Sequence, residues 1–495
     1  MIKKSLLIIG LISFLNANSY QEWLDSQNSQ YTQYKKSMDE EFSDMLKKDW
    51  EAFKAMSTPS PYIKPKPIVM PKIKQEIVVP KKDIKTSPKV ITKPIKIVKI
   101  PKVKIIIPLK KIINEDVVKK EIIKEEIKPK IDETIKTTNI NFYSQNIEIK
   151  YDKKMSFNIS SIDKNTISSF WDSISKTKFQ KVVNQVNKKS KELNLNDWAK
   201  YQFVNKLGYS IYQNNNSANL FTWFILTKMG YDTKVGYNKH RIYLLSTIKH
   251  SLYQVSFFNL NKKKYYILTP NGRVGNIGSV FTYKGNYPKA SKKLSFYMDG
   301  NIKFYTNLKQ KDLRFKYFGK QYTINTKYSL DLIDFYKTFP QSDYRIYFGK
   351  DNSISLSNSI LSQLQPLING KSEIEAVNLL LRFVQTSFAY KTDQKQFSYE
   401  KVMFPEETVF YKYSDCEDRS IMFSYLVKNL LNLDVVGVKY KDHLATAIAF
   451  SSNISGDGFN FRNKKYTISD PTYINANAGM AMPKYKNSKF KVIIN

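Results

Sequence analysis

The chain has 495 residues, with 80 Lys and Arg against 43 Asp and Glu, one cysteine, three histidines and a formal net charge of +37. That length leaves room for two or three domains with hydrophobic cores, and a single cysteine excludes an intrachain disulfide framework. The positive charge comes with an excess of Lys, Ile, Asn and Tyr, without zinc-knuckle spacing and with little arginine. Specific nucleic-acid binding is therefore disfavoured. A nonspecific, salt-sensitive attraction to anionic cell-envelope polymers fits better.

The first nineteen positions have the layout of a secretory signal: Lys3 and Lys4, an apolar core over 5–15, then Ala17, Asn18 and Ser19. Cleavage is expected after Ser19, giving a periplasmic or secreted protein with no transmembrane span after processing. Residues 20–57 place Trp23, Tyr31, Tyr34, Met38, Phe42, Met45, Leu46, Trp50 and Phe53 at helical spacing, which predicts one amphipathic helix. Residues 58–138 are rich in Lys, Pro and Ile, and predict an extended, disordered linker with a short helix near 113–127. Three further regions follow: 139–281, a β-rich connection over 282–363 and a C-terminal domain over 364–495. In the first, Asn196 or Asp197 is a candidate helix cap; at 372–390, Ser372 and Glu375 form a capping-box pattern.

The chemistry concentrates in the last region. Cys416 lies in Ser414-Asp415-Cys416-Glu417-Asp418-Arg419-Ser420, just before the apolar helical run 421–431. A helix N-terminus favours a thiolate, while the neighbouring acids oppose it and argue against burial of the thiol. His443 would balance them by pairing with the sulfur, and the expected thiol pKa lies below the usual ~8.5. The segments 434–438 and 444–450 predict strands, so His443 falls at a strand start. A third strand, 464–468, ends just before Asp470-Pro471. No ligand cluster in the sequence suggests a metal, and no cofactor is expected.

Taken together, Tyr413 to Ser420, the His443 segment and Ser469-Asp470-Pro471, with Phe388-Ala389-Tyr390 and Asp393 upstream, resemble the transglutaminase-like cysteine peptidase superfamily. The resemblance covers about 374–483 and implies an α+β fold with a papain-like core, a nucleophile-bearing helix packed on an antiparallel sheet. It implies a catalytic triad of Cys416, His443 and Asp470 acting through a thioester. The Cys416 amide would contribute to an oxyanion hole, with Tyr413 as candidate side-chain donor.

Residues 220–270 look like a degenerate copy of the same unit. Positions 221–237 parallel 422–438, and Thr269-Pro270 stands where Asp470-Pro471 stands. The cysteine position falls near 214–217 and the histidine position near His240-Arg241, so this copy lacks the triad. The expected protein is thus an exported thiol-dependent amide hydrolase acting on peptide or isopeptide bonds. The alternatives are a crosslinking transglutaminase using an amine acceptor, and a noncatalytic envelope scaffold.

Overall fold

The computed structural model describes residues 17–59, 67–78, 134–272, 277–298, 300–304, 306–349 and 353–494, with side chains from residue 22. The predicted signal core at 5–15 and the predicted short helix at 113–127 lie outside these residues. Among the described residues, no helix is long and apolar enough to cross a membrane.

Helix α1 (Ala17–Leu46) docks by one stripe. Met38, Asp39, Phe42, Ser43 and Leu46 are buried, whereas Trp23, Tyr31 and Tyr34 remain exposed. Phe42 meets Trp171 edge-on at 4.6 Å. The predicted continuation of this helix to residue 57 is corrected. The Trp50 indole N–H donates to the Leu46 carbonyl at 2.6 Å, closing the last turn. The chain then runs as β1 (Trp50–Lys54) and β2 (Met56–Ser57).

A hairpin of β3 (Ile135–Phe142) and β4 (Gln145–Asp152) follows, so regular structure begins slightly before the predicted boundary at 139. Four helices come next: α2 (Lys164–Ser175), α3 (Phe179–Glu192), α4 (Asp197–Tyr212) and α5 (Asn215–Lys228). Asn196 caps α4 by accepting from the Ala199 amide, as its sequence position suggests.

Strands β5 (Thr233–Tyr237), β6 (Ile242–Ser246), β7 (Ser256–Leu260), β8 (Lys263–Leu268) and β9 (Ser279–Tyr283) form an antiparallel sheet in the order β9-β5-β6-β8-β7. β1 pairs with β9 at one edge and β2 with β7 at the other. Because β1 and β2 are separated only by Ala55, this continuous run joins both edges and closes the sheet as a barrel. Leu245, Phe258, Leu260, Tyr265, Ile267 and Val280 form one apolar cluster with Phe53 and Ala55. Closure leaves no long unpaired edge in this unit.

The region 282–363 is only partly β, a correction to the prediction. After the hairpin of β10 (Leu308–Tyr317) and β11 (Lys320–Ser329) come α6 (Leu330–Thr338), α7 (Tyr344–Tyr347), α8 (Ile354–Leu356) and α9 (Ser362–Ile368). The serines Ser329 and Ser353 cap α6 and α8, a local signal that the density of aromatic residues had masked.

The last region starts with α10 (Glu373–Ser387), opened by the predicted Ser372/Glu375 capping box. Then come β12 (Ala389–Tyr390), α11 (Asp393–Gln396), α12 (Pro405–Phe410), β13 (Tyr413–Ser414) and α13 (Cys416–Leu430). Strands β14 (Asp434–Lys439), β15 (Leu444–Ala449), β16 (Gly458–Phe461), β17 (Lys464–Ser469) and β18 (Lys491–Ile493) pair antiparallel in the order β18-β14-β15-β17-β16. Substituting β9-β5-β6-β8-β7 term by term reproduces this order, and α5 precedes its sheet as α13 precedes its own.

Glu406 on α12 is wholly buried. One oxygen accepts from the Ser329 amide at 2.6 Å, and the other has no hydrogen-bond partner. Burial pushes its carboxyl from 4.5 up to about 7. The folded protein therefore keeps a proton that the unfolded chain releases near 4.5, and stability falls as pH rises from 4.5 to about 7. Glu406→Gln removes that titration. Its stability relative to wild type should climb across this window by on the order of 3 kcal/mol, measured by denaturant unfolding at pH 4.5 and 7.5.

Candidate functional site

Cys416 is the first residue of α13, a helix buried along most of its length. Ile421, Met422, Phe423, Leu426 and Val427 are all buried. That burial carries the helix start inside. Asp415, Cys416, Glu417, Asp418 and Arg419 are each no more than 3% exposed. The expectation that acidic neighbours keep the thiol at the surface is therefore overturned. The acids are accommodated by donors: Asp418 accepts from the Met403 and Asp415 amides at 2.9 and 3.1 Å. The Arg419 guanidinium donates to the Gln385 and Phe388 carbonyls at 3.0 and 2.6 Å.

His443 immediately precedes β15, and Asp470 immediately follows β17; the two strands are paired with Thr446 opposite Ser469. Adjacent strands so aligned bring the side chains together, and His443 Nε2 lies 2.8 Å from Asp470 Oδ2. The second Asp470 oxygen accepts from the Thr472 amide at 2.8 Å. The His443 ring stacks on Tyr485, with centroids 5.0 Å apart. Its Nδ1 is buried and makes no hydrogen bond. If the proton shared with Asp470 resides on Nε2, Nδ1 is the basic nitrogen.

The sulfur adjoins this pair through the strand backbone. The Leu444 N–H, one residue past His443, points at Cys416 Sγ, and Ser420 Oγ donates to the Leu444 carbonyl at 2.9 Å. The thiol itself donates to Glu417 Oε2 at 2.9 Å. Burial pushes the Cys416 thiol well above its ordinary value, and the Glu417 and Asp415 carboxylates push it further. This is opposite to the lowered pKa expected from the sequence. The helix N-terminus is outweighed because the thiol is desolvated beside acids, not exposed beside a cation.

Two overlapping sets of buried carboxylates include the two acids that act on the thiol, Asp415 and Glu417. Asp393, Glu400 and Glu417 form one, and Asp393, Asp415 and Asp418 the other, with oxygens within 4.8 Å of one another in each. One oxygen each of Asp393 and Asp415 has no hydrogen-bond partner. Burial chiefly drives both carboxyls well above the usual range, and Asp418 up to about 7. These oxygens are the hard donors a divalent cation takes, whereas the sequence had offered no metal cluster because the acids are dispersed over 393–418.

Tyr413, expected to assist an oxyanion, has its ring flanked by the Lys391 and Lys412 ammoniums at 4.9 and 5.2 Å. This places it in a cationic setting outside the buried cluster. The sequence missed Gln385. Its amide donates to the Asp470 and Ala476 carbonyls at 3.2 and 3.0 Å and accepts from the Asn475 amide at 3.2 Å, fixing the loop after Asp470. A signal was present, since Asn378, Arg382 and Gln385 form a polar line at helical spacing along the otherwise apolar α10, and all three are buried.

In the first unit, Asn215 opens α5, Arg241 precedes β6 and Thr269 follows β8, at the places of Cys416, His443 and Asp470. These residues line a cavity of about 670 Å³ together with Asn205, Asn219 and Tyr243. The sequence comparison had located the same positions. Comparison with known proteins gives no match to a family model, a curated protein or a solved structure.

Proposed function

We propose that the protein is a thiol-dependent amide hydrolase with a transglutaminase-like, papain-like core, cleaving peptide or isopeptide bonds outside the cytoplasm. The observation that carries this reading is the oriented His443–Asp470 pair, whose second ring nitrogen is buried and unpaired, with the backbone of the next residue, Leu444, bonded to a cysteine at a helix start.

In this mechanism the Cys416 proton passes to His443 Nδ1, and the sulfur attacks the substrate carbonyl carbon. Asp470 holds the ring and stabilises the imidazolium. The tetrahedral oxyanion lies within reach of the Cys416 backbone amide at the start of α13. Collapse expels the amine, which takes the proton from His443, and leaves a thioester on Cys416. Water, deprotonated by His443, attacks the thioester; the acid departs and the thiol is reprotonated. The described arrangement, with the protonated thiol donating to Glu417, is taken as the resting state of this cycle. A basic linker would hold the enzyme near anionic envelope polymers.

Iodoacetamide alkylation of Cys416 should depend on pH differently in wild type and His443→Ala, with the variant slower at neutral pH; superimposable profiles would sink the triad. Glu417→Gln removes the thiol's acceptor and a neighbouring negative charge. It should lower the apparent thiol pKa and speed alkylation at pH 7, with unchanged circular dichroism as the control. Asp470→Ala should reduce turnover of any cleaved amide by about 10²–10⁴-fold, read as kcat/KM.

A further inference from the structure

Part of the Lys/Pro/Ile-rich segment, residues 67–78, lies against the C-terminal unit. The Tyr390 hydroxyl donates to the Pro67 carbonyl at 2.5 Å. The Ile474 amide donates to the Pro71 carbonyl, and the Ile73 amide returns a bond to the Ile474 carbonyl, each at 3.0 Å. The Asn475 and Asn477 side-chain amides donate to the Ile73 and Ile77 carbonyls at 2.6 and 2.7 Å. One side chain is also read: Glu76 Oε1 lies 3.1 Å from Nε of the buried Arg382.

These contacts sit at two borders of the candidate site. Tyr390 pairs with Ser414, two residues before Cys416, and its ring lies 5.5 Å from the Arg419 guanidinium. The loop 474–477 follows Asp470, and Gln385 bonds to both.

Of the segment's apolar side chains only Pro67, Met70, Pro71 and Ile73 are half-buried. Ile68, Val69, Ile77 and Val78 are 58, 77, 41 and 71% exposed. The segment is held chiefly by its backbone and by the Glu76 carboxylate, whose second oxygen accepts from the Phe318 amide at 2.6 Å. Main-chain pairing accepts any extended polypeptide, while an Arg selects an acidic side chain at one place.

We propose that the groove formed by Tyr390, Arg382 and the loop 474–477 is the polypeptide-binding cleft of this site, and that residues 67–78 occupy it in cis as a substrate-like strap. This rests on the amide-hydrolase reading and narrows its substrate class to extended polypeptide with an acidic side chain opposite Arg382. Being held chiefly by main-chain bonds, the strap is displaceable by a competing chain.

The test uses full-length protein carrying Ile73→Pro and Glu76→Lys, which removes the Ile73 donor and sets a cation against Arg382. Cys416 in this variant should be alkylated by iodoacetamide about tenfold faster than in wild type, the shift expected from losing contacts of this kind. A labelled synthetic peptide, PIVMPKIKQEIV, should bind the variant by fluorescence anisotropy and return alkylation to the wild-type rate. The same peptide with both substitutions should not bind. Asn477→Ala, on the groove side, should weaken binding of the unmodified peptide.

Peptide that does not bind, or that binds without slowing alkylation, would overturn the proposal. The binding assay repeated on Cys416→Ala protein needs no chemistry. Protection and binding without any amide cleavage would therefore refute the hydrolase reading and leave the occupied cleft standing.

Discussion

The C-terminal unit depends on burying the first turn of α13. The apolar face of that helix, from Ile421 to Leu430, must face the core, and it draws the acid-rich turn before it inside as well. Burying an ionised carboxylate without compensation is costly. The surrounding structure meets that cost with backbone amides from residues 403 and 415, with Arg419, and with carboxyls raised far enough to hold protons. The elevated thiol pKa is one consequence of the same burial. A protein built around this turn keeps its one thiol protonated and enclosed.

The two helix-and-sheet units show what one arrangement permits. Both have five antiparallel strands in the same order behind a helix, so both bring a helix start, a strand start and a strand end to one place. In the C-terminal unit those places hold Cys416, His443 and Asp470. In the first they hold Asn215, Arg241 and Thr269 around an open cavity. The frame supplies proximity without specifying chemistry. The units also differ at their edges. The first is closed by the run Trp50–Lys54 and Met56–Ser57, and the second has no such closing run among the described residues.

Helix α10 links the core to the site. Its apolar face, including Val377, Leu380 and Val384, packs inward. Its polar line of Asn378, Arg382 and Gln385 grips the chain after Asp470: Asn378 accepts from the Ala478 amide at 2.9 Å, and Arg382 bonds Asn475. Asp470 is thus positioned from both sides, by the β15–β17 pairing and by α10. The same Arg382 reaches Glu76, so the element that orients the carboxylate also holds the strap.

Local signals in the sequence determined much of this protein. Helical spacing and caps located α4, α10 and α13. Short apolar and β-branched runs located β14, β15 and β17. His443 and Asp470 meet where their strands end, because a residue at an element's end is placed once its strand is placed. Internal similarity located the second unit for the same reason. The tertiary structure alone decided the rest. Whether 50–57 is helix or strand depends on β9 and β7, partners more than 195 positions away in the chain. The burial of Cys416, the convergence of Asp393 and Glu400 on Glu417, and the seating of residues 67–78 beside Asn475 likewise join parts of the chain that local pattern cannot connect. A thiol's pKa follows its desolvation and its neighbours in space, so the sequence could single out the cysteine but only the fold could set its charge.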